Sequence, residues 1–432
     1  MVSLTLANGL RVLLAEDHTV PLVFLSWASE AGVERDPPGL EGLAALTPLL
    51  FRDGTARRGG DRITQELEDL GATLASGADW EGAFLNLGLL SCDLEAGVDL
   101  VLDMARTATF SEAAVDRLRR RRLVEIERRG QDPRTRAGDA FARALFGSTL
   151  YGREPLGTRA SLQRIDRADV TAFHEHHYGA ATSYFSMTGS FDSAAALDLL
   201  ASFEFPAASG NRPALPSDAS TGTPDTGTTV VDVPQATQTE IRIGHASVTR
   251  DCEDLPGLDL LGAILGGSPG SRLARRLRQQ LGLSYFIRSR FIARRLGGMF
   301  VVDTSVSNDA AGAALSAIRG EIERLCDERI PGTELEHARR RLIGAELRSL
   351  QDLIHAGRSA GPAALRHDAD YVERKRRVMA TVEPEDLRDL ARRYLHPEHL
   401  LAVVVGPAAT LWPQLSSGSA QTDQCVPLES GS

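Results

Sequence analysis

The chain has 432 residues, is 42% hydrophobic and 25% charged, and carries a formal net charge of −10. Its length exceeds one ordinary core and predicts two or three domains at roughly 150 residues each, while the acidic balance argues against nucleic acid as the main partner. No run reaches ~18 consecutive apolar residues, so no membrane span is expected, and a cytoplasmic protein is predicted. Cys92, Cys252, Cys326 and Cys425 show no CxxC or zinc-ribbon spacing and read as reduced thiols.

In chain order, Leu4 and Leu6, then Val12 and Leu14, alternate about Asn8-Gly9, which predicts a β-hairpin. A core strand is expected from Val20 to Ala28. The segment GLEGLAALTPLLFRDGT follows, with apolar residues at 43, 46, 49 and 50 in helical spacing. Pro48 in a regular helix interior costs ~3 kcal/mol, so it must occupy a first turn or make a kink. A short helix over Asp61–Leu70 precedes strands at Ala72–Asp79 and Gly82–Ser91 and an amphipathic helix at Leu94–Ala105. Ser111 is a natural N-cap for a long helix to about Arg128. Its charge run, Arg117 with Arg119 to Arg122, reads as a solvated face. Helices at about 133–146 and 167–177, a strand at Ser183–Thr188 and a helix at Ser193–Phe203 close the first half.

Residues 206–228 are rich in Pro, Gly, Ser, Thr and Asp and read as an inter-domain linker. Beyond it the order of elements recurs: strands at Thr229–Val233 and Thr239–Ala246, helices at about 255–266 and 270–281, and strands at Tyr285–Arg290 and Met299–Val306. A helical series from about Ala310 resumes after Thr333, where Thr333 and Glu336 have capping-box spacing. A strand at Leu400–Val405 ends the second half, and 415–432 read as a disordered tail.

The recurrence extends to residues. Ala168–Gly189 and Glu385–Gly406 align without gaps at a constant offset of 217, setting Asp169 on Asp386, Phe173 on Leu390, His177 on Tyr394 and Gly189 on Gly406. The expected architecture is therefore α+β: two homologous halves, 1–205 and 229–414, each an antiparallel or mixed sheet covered by helices, enclosing a chamber.

Within the second half, SRLARRLRQQLGLSY (271–285) reads as a helix handing over to a strand. Leu273, Leu277 and Leu281 mark one face and Gly282 is a stop signal. Arg278, near the helix end, and Tyr285, across the Gly turn, are placed to converge. Arg supplies nearly all the basic charge, Lys375 being the single lysine, so an Arg seven residues before a Tyr is by itself unremarkable.

The opening TLANGLRVLL, Pro21, the GLA…GT segment at 42–55, the duplication and SRL…LR…GLSY together resemble the pitrilysin/insulinase superfamily of inverted-zincin metallopeptidases, which includes mitochondrial processing peptidase and the respiratory-complex core proteins. Catalytic members carry H-x-x-E-H, two zinc-binding His and a Glu general base. The resemblance sets Ala45, Pro48 and Leu49 on those positions and Glu125 on the third zinc ligand. One carboxylate without imidazoles does not hold zinc, so no catalytic zinc, and no metal, is expected in this chain.

The resemblance also sets Arg278 and Tyr285 on the pair that binds substrate peptide and stabilises the tetrahedral intermediate. In some bacterial relatives the two halves of the site lie on different chains. The resemblance thus implies a metal-free subunit of a two-chain zinc metalloendopeptidase. Its partner would be a homologous H-x-x-E-H subunit carrying the zinc, and its substrate a peptide. A non-catalytic scaffold and a precursor-peptide clamp are the alternatives. His174–His177 (HEHH) is a His-rich stretch that invites a metal; the corresponding residues Ala391, Arg393 and Tyr394 of the repeat make it an ordinary helix end.

Overall fold

The computed structural model describes residues 2–203, 226–351, 371–415 and 424–426. The expected linker lies almost wholly outside the described residues, as does most of the expected tail.

Among the described residues, 2–126, 154–203, 346–351 and 371 gather into one compact unit, and 127–153 with 226–345, 372–415 and 424–426 into a second. The first is built on a six-stranded sheet in the order β1-β2-β6-β3-β5-β4. Its strands are β1 (Val2–Thr5), β2 (Arg11–Glu16), β3 (Leu22–Ser29), β4 (Thr73–Ala78), β5 (Ala83–Leu90) and β6 (Ser183–Gly189). All neighbours are antiparallel except β2 and β6. The hairpin forms as expected, with Leu4 opposite Val12. Asn8 Oδ1 accepts from the Leu10 amide at 3.2 Å, which closes the turn.

The second unit repeats this order in five strands, as β12-β7-β11-β8-β10-β9, with β7, β11, β8, β10 and β9 in the places of β2, β6, β3, β5 and β4. Here β7 is Gly227–Asp232, β8 Thr239–Ser247, β9 Ile287–Ala293, β10 Gly298–Val306, β11 Leu401–Gly406 and β12 Gln424–Val426. Again one internal pair, β7 with β11, is parallel. β12, within the expected tail, adds to β7 in parallel. The duplication reaches the helix caps: Asp166 with Asp169, and Glu383 with Asp386, form capping boxes at the 217-residue offset.

Each sheet buries one face under helices. Trp27, Phe51 and Phe185 centre the first core, and Leu261, Phe300 and Val404 the second. The helix Pro133–Phe146 packs on β8 and β11, within the second unit, although it precedes β6 in the chain.

Pro48 acts as the sequence requires. The α-helix Leu43–Leu46 is a single turn, and Thr47–Asp53 continues as a 3₁₀ helix with Pro48 in its first turn. Ser111 caps the helix Glu112–Gly130, its Oγ accepting from the Ala114 amide at 3.2 Å. Thr333 does not cap its helix, which begins at Gly332; the first free amides, of Glu334 and Leu335, donate instead to the Pro331 carbonyl. Cys92, Cys252 and Cys326 are free thiols. No described helix is long and apolar enough to cross a membrane.

Candidate active-site pair and degenerate metal site

Residues 274–280 depart from the expected regular helix and form a π-helix. The Leu281 amide donates to the Arg276 carbonyl, and the Leu283 amide to Leu277, at 3.1 and 2.8 Å. The wider i→i+5 turn shifts the phase of the leucine face. Leu273 and Leu277 are fully buried, whereas Leu281 rotates outward and is exposed. Arg272 Nε holds Glu334 at 2.8 Å and fixes the start of the segment.

Gly282 then ends the helix at φ +64°, a left-handed conformation that favours glycine. Ser284 is buried, with its Oγ 2.7 Å from the Phe286 carbonyl, 2.9 Å from that of Ser305 and 2.8 Å from Thr304 Oγ1. This anchor turns the next side chain, Tyr285, away from the core. Strand β9 consequently starts at Ile287, two residues later than the sequence suggests.

Arg278 and Tyr285 meet as the spacing predicts. The guanidinium carbon stands 4.6 Å from the centroid of the phenol ring, a cation–π contact. Tyr285 is 84% exposed, and Arg278 is exposed beside it. A large aromatic side chain left this open is available to a ligand or another chain. Tyr285 also lines a cavity of about 340 Å³ with Arg134, Gln238, Glu240, Phe286 and Ser305 among its walls. Arg134 stacks over Phe286 at 4.3 Å. Nothing in local spacing reveals Arg134, because it arrives from the helix 133–146, more than a hundred residues upstream.

In the first unit, Ala45 and Pro48 are buried and Leu49 half-buried, on the two short helices described above. None offers a metal ligand. The space beside them receives Arg122, a residue expected on a solvated face but only 7% exposed. Its Nη1 donates to the Glu125 carboxylate at 2.8 Å, and its Nη2 lies 3.4 Å from the Ala45 carbonyl. The residue set therefore does not fit Zn²⁺: no imidazole is present, and a guanidinium already pairs the one carboxylate. Within the run Arg117–Arg122, Arg119 also turns inward, donating to the Ile165 carbonyl at 3.0 Å.

HEHH disperses. His174 is buried, stacked on Tyr178 and bonded to the Ala105 carbonyl at 2.8 Å. His177 is also buried; burial and the charges of Arg35 and His176 press its pKa down to about 4. His176 is exposed, 2.6 Å from the Ala172 carbonyl. These residues are not among those that bring three ligand atoms together.

Two family models cover most of the folded chain. Residues 11–159 match Insulinase (Peptidase family M16), and 164–342 match the Peptidase M16 inactive domain. The chain belongs to the pitrilysin/insulinase superfamily. An uncharacterized zinc protease of Streptomyces coelicolor is 25% identical over 415 residues, covering 93% of this chain and 89% of its own length. One from Mycobacterium leprae is 26% identical over 411 residues, covering 94% and 92%. The crystal structure of a peptidase M16 inactive domain from Pseudomonas fluorescens superposes with TM-score 0.85 at 24% identity, over 94% of this chain and 98% of that one. A protease from Helicobacter pylori does so with TM-score 0.85 at 17% identity, over 94% and 99%. Both solved structures share the fold of this M16-type, peptidase-like chain.

Proposed function

We propose that this chain is the subunit of a two-chain zinc metalloendopeptidase that carries no catalytic metal. It lends Arg278 and Tyr285 in trans to a homologous H-x-x-E-H subunit, which holds the zinc and the general base. The observation that carries this reading is a contrast. The zinc positions are filled by Ala45, Pro48 and Leu49, with Arg122 on Glu125, while Arg278 and Tyr285 remain paired and exposed. The Arg278 fork would hold a substrate carbonyl or carboxylate. The Tyr285 hydroxyl would donate to the oxyanion as it develops on the scissile carbonyl. One such donor is worth roughly 10²–10³ in kcat. The cavity beside Tyr285 is large enough for a substrate side chain.

The test is a peptidase assay on mixed peptides with this chain alone, the H-x-x-E-H homologue alone, and the two titrated together. Activity confined to the mixture and saturating near one-to-one is expected. Tyr285→Phe should then lower kcat by about 10²–10³ without dissolving the complex. Unchanged kcat/KM for Tyr285→Phe and Arg278→Ala in an intact complex would overturn the trans role. A complex that forms but cleaves nothing would favour a scaffold.

A further inference from the structure

We propose that His396, Glu398 and His399 form a binding site for a divalent transition metal of the zinc class on the surface of the second unit. Their ligand atoms all lie within 4.8 Å of one another. Glu398 Oε1 is 3.6 Å from His396 Nδ1 and 3.8 Å from His399 Nδ1. Metal–ligand bonds of about 2.0–2.1 Å in a tetrahedral site put neighbouring donors about 3.3 Å apart. The carboxylate is thus within about half an ångström of binding distance to both rings. Small side-chain rotations bring the two imidazoles, with centroids 5.6 Å apart, onto one ion.

The backbone builds this arrangement. Pro397 starts a 3₁₀ turn over Pro397–His399 and keeps the preceding His396 out of the helical region, at φ −118° and ψ 83°. The His399 amide donates to the His396 carbonyl at 2.9 Å, and this bond across the turn keeps the two histidines together. The turn is pinned to β8 from beneath. Buried His245 donates from Nδ1 to the Ala246 carbonyl at 2.8 Å, so its Nε2 lone pair accepts the His396 amide at 3.3 Å. This outer brace bonds the backbone of one ligand, and its ring meets the His396 ring edge-on with centroids 5.3 Å apart, which helps to orient that ligand.

The fold does not require these side chains. At the 217-residue offset the first unit makes the same 3₁₀ turn, Ala180–Thr182, with Gly179, Ala181 and Thr182 at the three positions. Two imidazoles and one carboxylate select Zn²⁺, Ni²⁺ or Cu²⁺ over Mg²⁺ and Ca²⁺. The remaining coordination positions face water. A bound ion would tie the end of the helix Pro384–Tyr394 to the start of β11, so occupancy should raise the thermal midpoint.

The experiment is isothermal titration of the untagged, full-length chain with zinc chloride, with a parallel thermal melt in micromolar zinc or millimolar magnesium. Expected are one strong equivalent of zinc, a rise in midpoint with zinc and none with magnesium. The double variant H396A/H399A should lose at least about tenfold in affinity, since loss of outer-shell partners alone costs about 10–100-fold. E398Q should weaken binding by a smaller factor, and H176A, in the other His-rich stretch, should change nothing. The three side chains are exposed enough that circular dichroism should match the native chain. Zinc binding that survives H396A/H399A, no binding by the native chain, or an equal midpoint shift with magnesium would overturn the site.

Discussion

Asp103→Asn tests how the segment that follows the short helices at 43–53 is held. Asp103 is buried on the helix Leu94–Thr107. It accepts from Thr55 Oγ1 at 2.7 Å, Thr107 Oγ1 at 2.7 Å, Arg57 Nε at 2.9 Å and Arg58 Nη1 at 2.6 Å. Burial alone would raise its pKa, but hydrogen bonds from Thr107, Thr55, Arg57 and Arg58 outweigh it and bring the value from 3.8 down to about 2. That lowering corresponds to about 2.5 kcal/mol of stability. Because the folded value is the lower one, this contribution is complete above pH about 4 and is lost as pH falls through about 2.

The amide of Asn cannot replace a charge among two guanidinium groups, and one of its faces presents donors to donors. Removing one partner of a buried ion pair costs about 3–5 kcal/mol, which sets the expected loss at neutral pH. The assay is urea unfolding followed by tryptophan fluorescence, since Trp27 and Trp80 lie in the same unit. The difference between native and variant should shrink by about 2 kcal/mol between neutral pH and pH about 2. A difference that stays constant over that range would refute the account, because it would mean that Asp103 contributes shape and not charge.

Leu277→Ala should cost about 2–5 kcal/mol in the same measurement on the second unit, and Leu281→Ala within about 0.5 kcal/mol of nothing. Equal losses would mean that the leucine face continues as a regular helix. Arg122→Ala should destabilise the first unit by about 1.5–3 kcal/mol, through the lost charged hydrogen bonds, and should leave the zinc content of the purified chain unchanged. Zinc uptake by this variant would show that the guanidinium alone was excluding the ion.

Much of the fold was open to reading because it rests on local patterns. The helices 133–146 and 167–177 begin and end where capping and periodicity put them, and the constant offset revealed the repeat. The pairing of Arg278 with Tyr285 was legible from the Gly282 turn. The π-helix was not, since an i→i+5 hydrogen-bond pattern leaves no signature in a leucine spacing that fits an α-helix equally well. Arg122 was misread for a different reason. Five arginines crowd a short run, and only the distant Ala45 carbonyl and the nearby Glu125 decide which of them turns inward. The His396–His399 cluster carried a visible signal, two imidazoles and a carboxylate about a proline, which the more conspicuous HEHH overshadowed.

The placement of the helix 133–146 bears on how the chain could be divided. Phe146 stacks edge-on against Tyr151, Arg294 covers the Tyr151 ring at 4.9 Å, and the Tyr151 hydroxyl accepts the Leu296 amide at 3.2 Å. The segment is thus an integral wall of the second unit, encoded in the middle of the first. A construction that begins at residue 226 would leave the covered face of β8 and β11 bare, and one that ends at 203 would carry an apolar helix with nowhere to pack. A protease nick between 204 and 225 would cut the peptide backbone and still leave the pieces clasped, because one of them has already threaded part of itself into the other.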